Sequence, residues 1–175
     1  MDKLIIGKPG ESEYASYFSR YVNLVDSDDI LKSLVTQMAD TNSVLREISE
    51  DKGAFSYAEG KWSIKELVGH LIDTERVMAY RAMRFSRKDE TELEGFEQDP
   101  YVSNGNFNNV NLAGLVKQFA LLRESNLYMF QGLSEEAWSF KGMASGFPIS
   151  VRTLAYIIAG HELHHMKILE ERYLV

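Results

Sequence analysis

Cysteine is absent from the 175 residues. That excludes disulfide staples, thiolate metal ligands and a cysteine nucleophile together, and it fits a cytoplasmic protein, since structural disulfides are rare there. Proline is scarce, with three in the chain, and no run alternates Val, Ile or Thr over the length of a strand. Helices are expected to dominate. Positive charge is in deficit: 19 Lys and Arg stand against 26 Asp and Glu, a net −7. Nucleic-acid binders draw much of their affinity from basic contacts to phosphates, so no nucleic-acid partner is expected. No stretch reaches the eighteen or so apolar residues of a membrane span. The start, MDKLIIGKPGESEY, turns acidic after a brief apolar run and does not read as a secretory signal. What remains is a 45% hydrophobic chain of a length that suits one domain over 1–175, with residues 1–26 as a lead-in holding a short helix from Tyr14 to Val25.

Apolar spacing marks four long helices. The first starts near Ser27, where a capping residue precedes two acids, and runs to about Glu50 with Ile30, Leu34, Met38 and Leu45 on its apolar face. The second follows WSIKELVGHLIDTERVMAYRAMRF, in which Ser63 and Glu66 form an S-x-x-E capping box beside Trp62 as a hydrophobic staple. It is expected to reach about Phe85. Residues 86–111 lack periodicity, and about twenty-five residues is long for a connection in a compact helical domain. They can span the roughly 30 Å of a twenty-residue helix, so they read as a crossover to the other end of a bundle. The third helix covers about Leu112 to Gly132. KGMASGFPIS reads as a glycine-rich loop, and the fourth helix begins near Ser150 and runs almost to the end.

Histidine is equally sparse, and its placement is the strongest functional signal. All four lie in two segments, GHLID at His70 and GHELHH at His161, His164 and His165. Neutral imidazole offers one nitrogen lone pair to a metal. Leu154, Ile158, His161, His165 and Ile168 step by four, three, four and three, so His161 and His165 replace core residues on one helical seam. Burying two imidazoles together is costly unless something satisfies their polar nitrogens, and a metal does so directly. With His70 from a second helix, three corners of a tetrahedron close and a fourth stays open to water or substrate, the layout of a catalytic metal site. His164 lies about 100° around the helix from His165 and reads as a packing residue.

HELHH also fits H-E-x-x-H, in which the glutamate of a zinc protease is general base. Ten residues follow His165, with Glu170 and Glu171 their acidic members, leaving little from which to draw a third ligand. Glu162 is therefore expected to face solvent or a neighbouring subunit, with catalysis near the metal as the alternative. Asp73 either orients the His70 ring or is a solvated surface acid. Arg81, Arg84, Arg123 and Arg152 are expected in exposed ion pairs, with room for one of them to receive an anionic substrate group. In FEQDPYV, Asp99 precedes a proline that biases it to extended backbone. Asp99 and Tyr101 are the candidates for cavity residues from the crossover, Asp99 to order a water and Tyr101 to donate to a developing anion; the alternative is a turn cap and a packing ring.

Three segments, WSIKELVGHLIDTE, FEQDPYV and RTLAYIIAGHELHH, together resemble the DinB superfamily of DinB-like and YfiT-like metal-dependent enzymes, over roughly residues 27–173. The resemblance implies an all-α four-helix bundle of up-down-down-up course, with the long crossover between its second and third helices. It implies His70, His161 and His165 as the metal triad, zinc or nickel as the metal, and a possible homodimer. It implies a hydrolase or a transferase or isomerase that uses a low-molecular-weight thiol such as bacillithiol, mycothiol or glutathione, in each case with a small-molecule substrate. Without cysteine, any thiol must come from outside the chain. A non-catalytic metal-binding or interaction protein is the remaining reading.

Overall fold

Each long helix begins where a side chain takes up an orphan backbone N–H. In the computed structural model, which describes residues 5–175, two 3-10 turns at Glu11–Glu13 and Ser16–Phe18 lead into α1 (Ser19–Val22). Then come α2 (Ile30–Arg46), α3 (Glu50–Gly53), α4 (Ile64–Ser86), α5 (Gln98–Asn104) and α6 (Leu112–Gln131). Two strands, β1 (Lys141–Ala144) and β2 (Phe147–Ser150), precede α7 (Val151–Ile168), whose last turn widens into a π-helix over Leu169–Tyr173. Asp29 Oδ1 accepts from the Lys32 N–H at 3.1 Å, Asn111 Oδ1 from Gly114 at 2.7 Å, and Ser150 Oγ from Thr153 at 3.2 Å. The Ser63–Glu66 capping box forms in both directions, at 3.1 and 2.7 Å. Such caps contribute about 1 kcal/mol each.

Hydrogen bonds between helix ends fix the course of the bundle. Glu50, just past the end of α2, pairs with Lys65 at the start of α4 and accepts from the backbone N–H of Leu112 at the start of α6. Ser63 Oγ meets Asn108 Oδ1 at 2.6 Å. So α2 ends where α4 and α6 both begin, and the last two run parallel. Tyr173, beyond α7, donates to Trp62 O at the same end, while Tyr156 near the start of α7 donates to Ser27 O at the other. The order is up, down, down, up. Crossover residues 87–111 carry the chain back along the bundle, and they are more structured than the sequence suggests: α5 and a 3-10 turn at Phe107–Asn109 lie within them. No described helix is long and apolar enough to cross a membrane.

The core has two parts. One, with Leu34, Met78, Phe85, Phe130, Trp138 and Leu154, fills the end near the hairpin. The other, with Leu45, Ile64, Leu67, Phe119 and Leu169, fills the end where α4 and α6 start. Between them lies a polar layer of Glu75, Arg123, Asn126 and Glu162, all buried. Two expectations are corrected outside the main helices. The lead-in helix is confined to Ser19–Val22. KGMASGFPIS is a β-hairpin, with Lys141 opposite Ser150 and Ala144 opposite Phe147. Its two-residue turn, Ser145 at φ 55° and Gly146 at φ 79°, has both residues left-handed, the type I′ geometry that matches strand twist. Leu93 of the crossover adds a short parallel bridge to Ala144.

Candidate metal centre

Three imidazoles from two helices meet in the bundle. His70 lies in the second turn of α4, and His161 and His165 lie one turn apart in α7. Their ring nitrogens gather within 4.8 Å of one another, and His70 Nε2 stands 2.9 Å from His161 Nε2. All three side chains are buried. Among the described residues this is the group whose donor atoms could hold a metal ion. Tetrahedral zinc with Zn–N bonds of about 2.0–2.1 Å places its nitrogen donors about 3.3 Å apart, a value between the 2.9 Å of His70–His161 and the 4.8 Å that bounds the set.

Burial keeps these rings neutral. It pushes the His70 pKa down to about 4, against the opposing pull of the Asp99 carboxylate, and the His165 pKa to about 3, helped by the neighbouring His70 and His164 rings. His161 is driven well below the ordinary range by burial first and then by His165 and His70. Neutral rings keep the lone pair that a metal requires. The donor set, three imidazoles without a charged ligand, thus fits a divalent cation.

The surroundings are aromatic. The Trp62 ring lies 4.8 Å from His70 and 6.4 Å from His165, and Tyr21 of α1 lies 5.4 Å from His161 edge-on. Gly160 makes the second contact possible, because a Cβ there would stand 2.0 Å from the Tyr21 carbonyl oxygen. His164 leaves the cluster, as its helical angle predicts, and packs against Tyr21 at 5.7 Å. Asp73 pairs with Arg76 at 3.1 Å on the helix surface, so the solvated reading holds for it.

A cavity of about 420 Å³ opens from the histidines, with His70, Thr74, Arg81, Phe96, Asp99 and His161 on its wall. Asp99 therefore reaches the cavity. Its neighbour Tyr101 is 47% exposed, packs on Phe96 at 5.3 Å and is not on the cavity wall. Glu162 faces neither solvent nor a subunit contact: it is 2% exposed and bonds Arg123 Nη2 through Oε2 at 2.7 Å. Arg123 also grips Glu75 with two hydrogen bonds of 2.8 Å, and Asn126 donates to Glu75 at 3.0 Å. Burial raises the Glu162 pKa, with Arg123 opposing. The same burial works against the Arg123 charge, yet Glu162 and Glu75 hold its pKa above the ordinary value. The expectation of exposed arginines is thus corrected for Arg123, at 1% exposure, and for Arg81, at 3%. Trp62, Tyr21, Thr74 and the hairpin residues Ser145 and Phe147 are site residues that periodicity alone did not single out; WSIKE carried a signal for Trp62 only as a staple.

An α-helical bundle with parallel second and third long helices, and histidines presented by its second and fourth, defines a class. The chain belongs to the DinB superfamily, whose family model matches residues 33–169. It is 25% identical, over 83% of its length and 84% of the relative's, to a protein of Oceanobacillus iheyensis named provisionally as a metal-dependent hydrolase. Its fold is similar to that of YfiT from Bacillus subtilis, described as a probable metal-dependent hydrolase with an unusual four-helix bundle topology. That match has a TM-score of 0.69 and 13% identity, covering 95% of this chain and 91% of YfiT. A DinB-like protein of Bacillus subtilis, YjoA, matches with TM-score 0.61 and 21% identity over 83% of this chain and 89% of that one. A mycothiol-dependent maleylpyruvate isomerase matches with TM-score 0.64 and 14% identity over 83% of this chain and 61% of its own.

Proposed function

We propose that the chain is a metal-dependent hydrolase of a small molecule, with His70, His161 and His165 as ligands of a zinc or nickel ion. The observation that carries this reading is the convergence of three buried imidazoles, two of which, His70 and His161, line a cavity of about 420 Å³, a volume within the range of small-molecule sites. A divalent ion held there supplies Lewis acidity and lowers the pKa of a water. Asp99, from the crossover, lines the cavity, where its carboxylate would order a water and hold a proton. Glu162 acts through position: its ion pair with Arg123 holds the backbone of α7 beside His161 against α4 and α6. Tyr101 supports the wall through Phe96. Trp62 and Tyr21 cover the rings and keep bulk water from the ligand side.

A thiol-dependent transfer on the same site is the second reading. What supports it is the likeness of the fold to a mycothiol-dependent maleylpyruvate isomerase; because the chain has no cysteine, the thiol would be external.

Metal analysis beside activity tests both. His70→Ala, His161→Ala and His165→Ala should each lose most of the bound zinc or nickel, while His164→Ala retains it. Asp99→Asn should keep its metal and hydrolyse activated esters at least about a hundredfold more slowly, the usual worth of a general base. Turnover seen only with an added low-molecular-weight thiol selects the transferase. Full metal retention by His161→Ala rejects the ligand set.

A further inference from the structure

Arg81 stands in the wall of the same cavity as His70 and His161, and it is a cation without a counter-ion among the described residues. Of the three buried cationic side chains among the described residues, Lys65 pairs with Glu50 and Arg123 with Glu75 and Glu162. The bonds that Arg81 makes go to neutral partners: the Glu94 carbonyl at 2.7 Å, Ser145 Oγ at 3.1 Å and the Met78 sulfur at 3.9 Å. Burying an unpaired charge is costly, and burial alone presses the pKa of this guanidinium down. The two oxygens occupy one nitrogen, Nη2, and leave the rest of the planar fork without an oxygen partner.

The position of Arg81 gives the missing partner a geometry. It lies eleven residues after His70 on α4, nearly the same helical face, and about 16 Å along the axis before the side chains converge. Thr74 lies between them, its buried hydroxyl without a hydrogen-bond partner among the described residues. Phe18, Phe96, Phe147, Met78 and Ile157 supply apolar wall.

We infer that Arg81 is a specificity-determining residue that receives an oxyanion, a carboxylate or phosphate, at one end of an elongated substrate whose apolar middle lies along the cavity and whose reacting group meets the histidines. This deepens the hydrolase reading and rests on it for the identity of the reacting end alone. The hairpin turn and crossover then have a common task, since Ser145 and Glu94 hold the guanidinium from one side and leave its other edge for the ligand.

The test is binding, on the full chain both as purified and stripped by chelator. Probes are 4-phenylbutyrate against 4-phenylbutyramide, and 3-phenylpropyl phosphate against 3-phenylpropanol, followed by calorimetry. At least one anion should bind about tenfold or more tightly than its neutral counterpart, the worth of a charge-assisted hydrogen bond. The preferred pair says whether carboxylate or phosphate is the natural group. Arg81→Gln should abolish the preference and Arg81→Lys should keep part of it, with the affinity for the neutral probes unchanged. Should Arg81→Gln fail to fold, the wild-type and Arg81→Lys comparisons decide. Equal binding of charged and neutral probes by wild type, no anion binding at millimolar concentration, or a preference that survives Arg81→Gln overturns the inference. The stripped protein separates the two proposals, because anion preference there is independent of whether the histidines hold metal.

Discussion

A histidine whose ring is neutral in the folded chain makes stability depend on pH. In the unfolded chain each ring protonates near 6.5; in the folded chain His70 does so only at about 4 and His165 at about 3. Acid therefore places protons on unfolded molecules first, and stability is lost as pH falls from about 6.5 towards 3. Above pH 5 this loss belongs to the histidines, because the carboxylates held low by arginine, Glu13 and Asp89, act only further down. The melting temperature of chelator-stripped protein should fall steadily from pH 7 to pH 4.5, and His165→Gln should flatten the slope. A flat profile in wild type would show the rings to be solvated. At Arg123 the charge is the stabilising partner of two buried carboxylates. Arg123→Met should cost about 3–5 kcal/mol in denaturant unfolding, since it leaves both uncompensated, whereas Glu75→Gln/Arg123→Met/Glu162→Gln should recover most of the loss. A mild Arg123→Met effect would mean that water reaches the layer.

At the scale of elements, the approach of α1 to α7 depends on one missing side chain. Gly160→Ala would drive a Cβ into the Tyr21 carbonyl, and because that oxygen is backbone, α1 must shift as a unit. The expected cost is about 1–3 kcal/mol, with a several-fold loss of metal affinity as Tyr21 moves off His161; an unchanged denaturation midpoint would show α1 to be loosely held. The long helices were readable where cap and apolar spacing agree: Ser63 with Glu66, and Ser150, mark starts that the structure keeps, whereas the first long helix is capped by Asp29, two residues beyond the Ser27 that the sequence suggested. It also marked residues 86–111 as a crossover through length alone. The hairpin was not readable, since Gly142, Gly146 and Pro148 mask the alternation over four-residue strands and the turn signal is only Ser145–Gly146. Glu162 misled for a different reason. Helix α7 is covered on several sides, by α1, α2 and α4, so its residues lack the polar face on which a helical-angle argument rests. Long arginines hide their destination in the same way, as Arg81 and Arg123 show.

For the molecule as a whole, the course of the chain sets when the three histidines are brought together. His70 and His161 are 91 residues apart, and they face one another only after the crossover has returned, α6 has docked and the hairpin has turned the chain into α7. Contacts of such sequence separation carry a large loop-closure cost and form late. An ion that recognises the completed set of rings binds the native state and finds nothing comparable in the folding transition state. Its effect then falls on the unfolding rate. In stopped-flow experiments with zinc or nickel, the unfolding limb of the chevron should drop by about tenfold or more while the refolding limb stays in place; equal acceleration of refolding would place His70 and His161 together in the transition state. The up-down-down-up path thus makes the ion a brake on exit from the native basin. On the proposed ligand set, the folded molecule would have a shorter lifetime where metal is scarce, and under conditions in which proteases cleave faster than the chain recloses, the metal supply would set how long each copy survives.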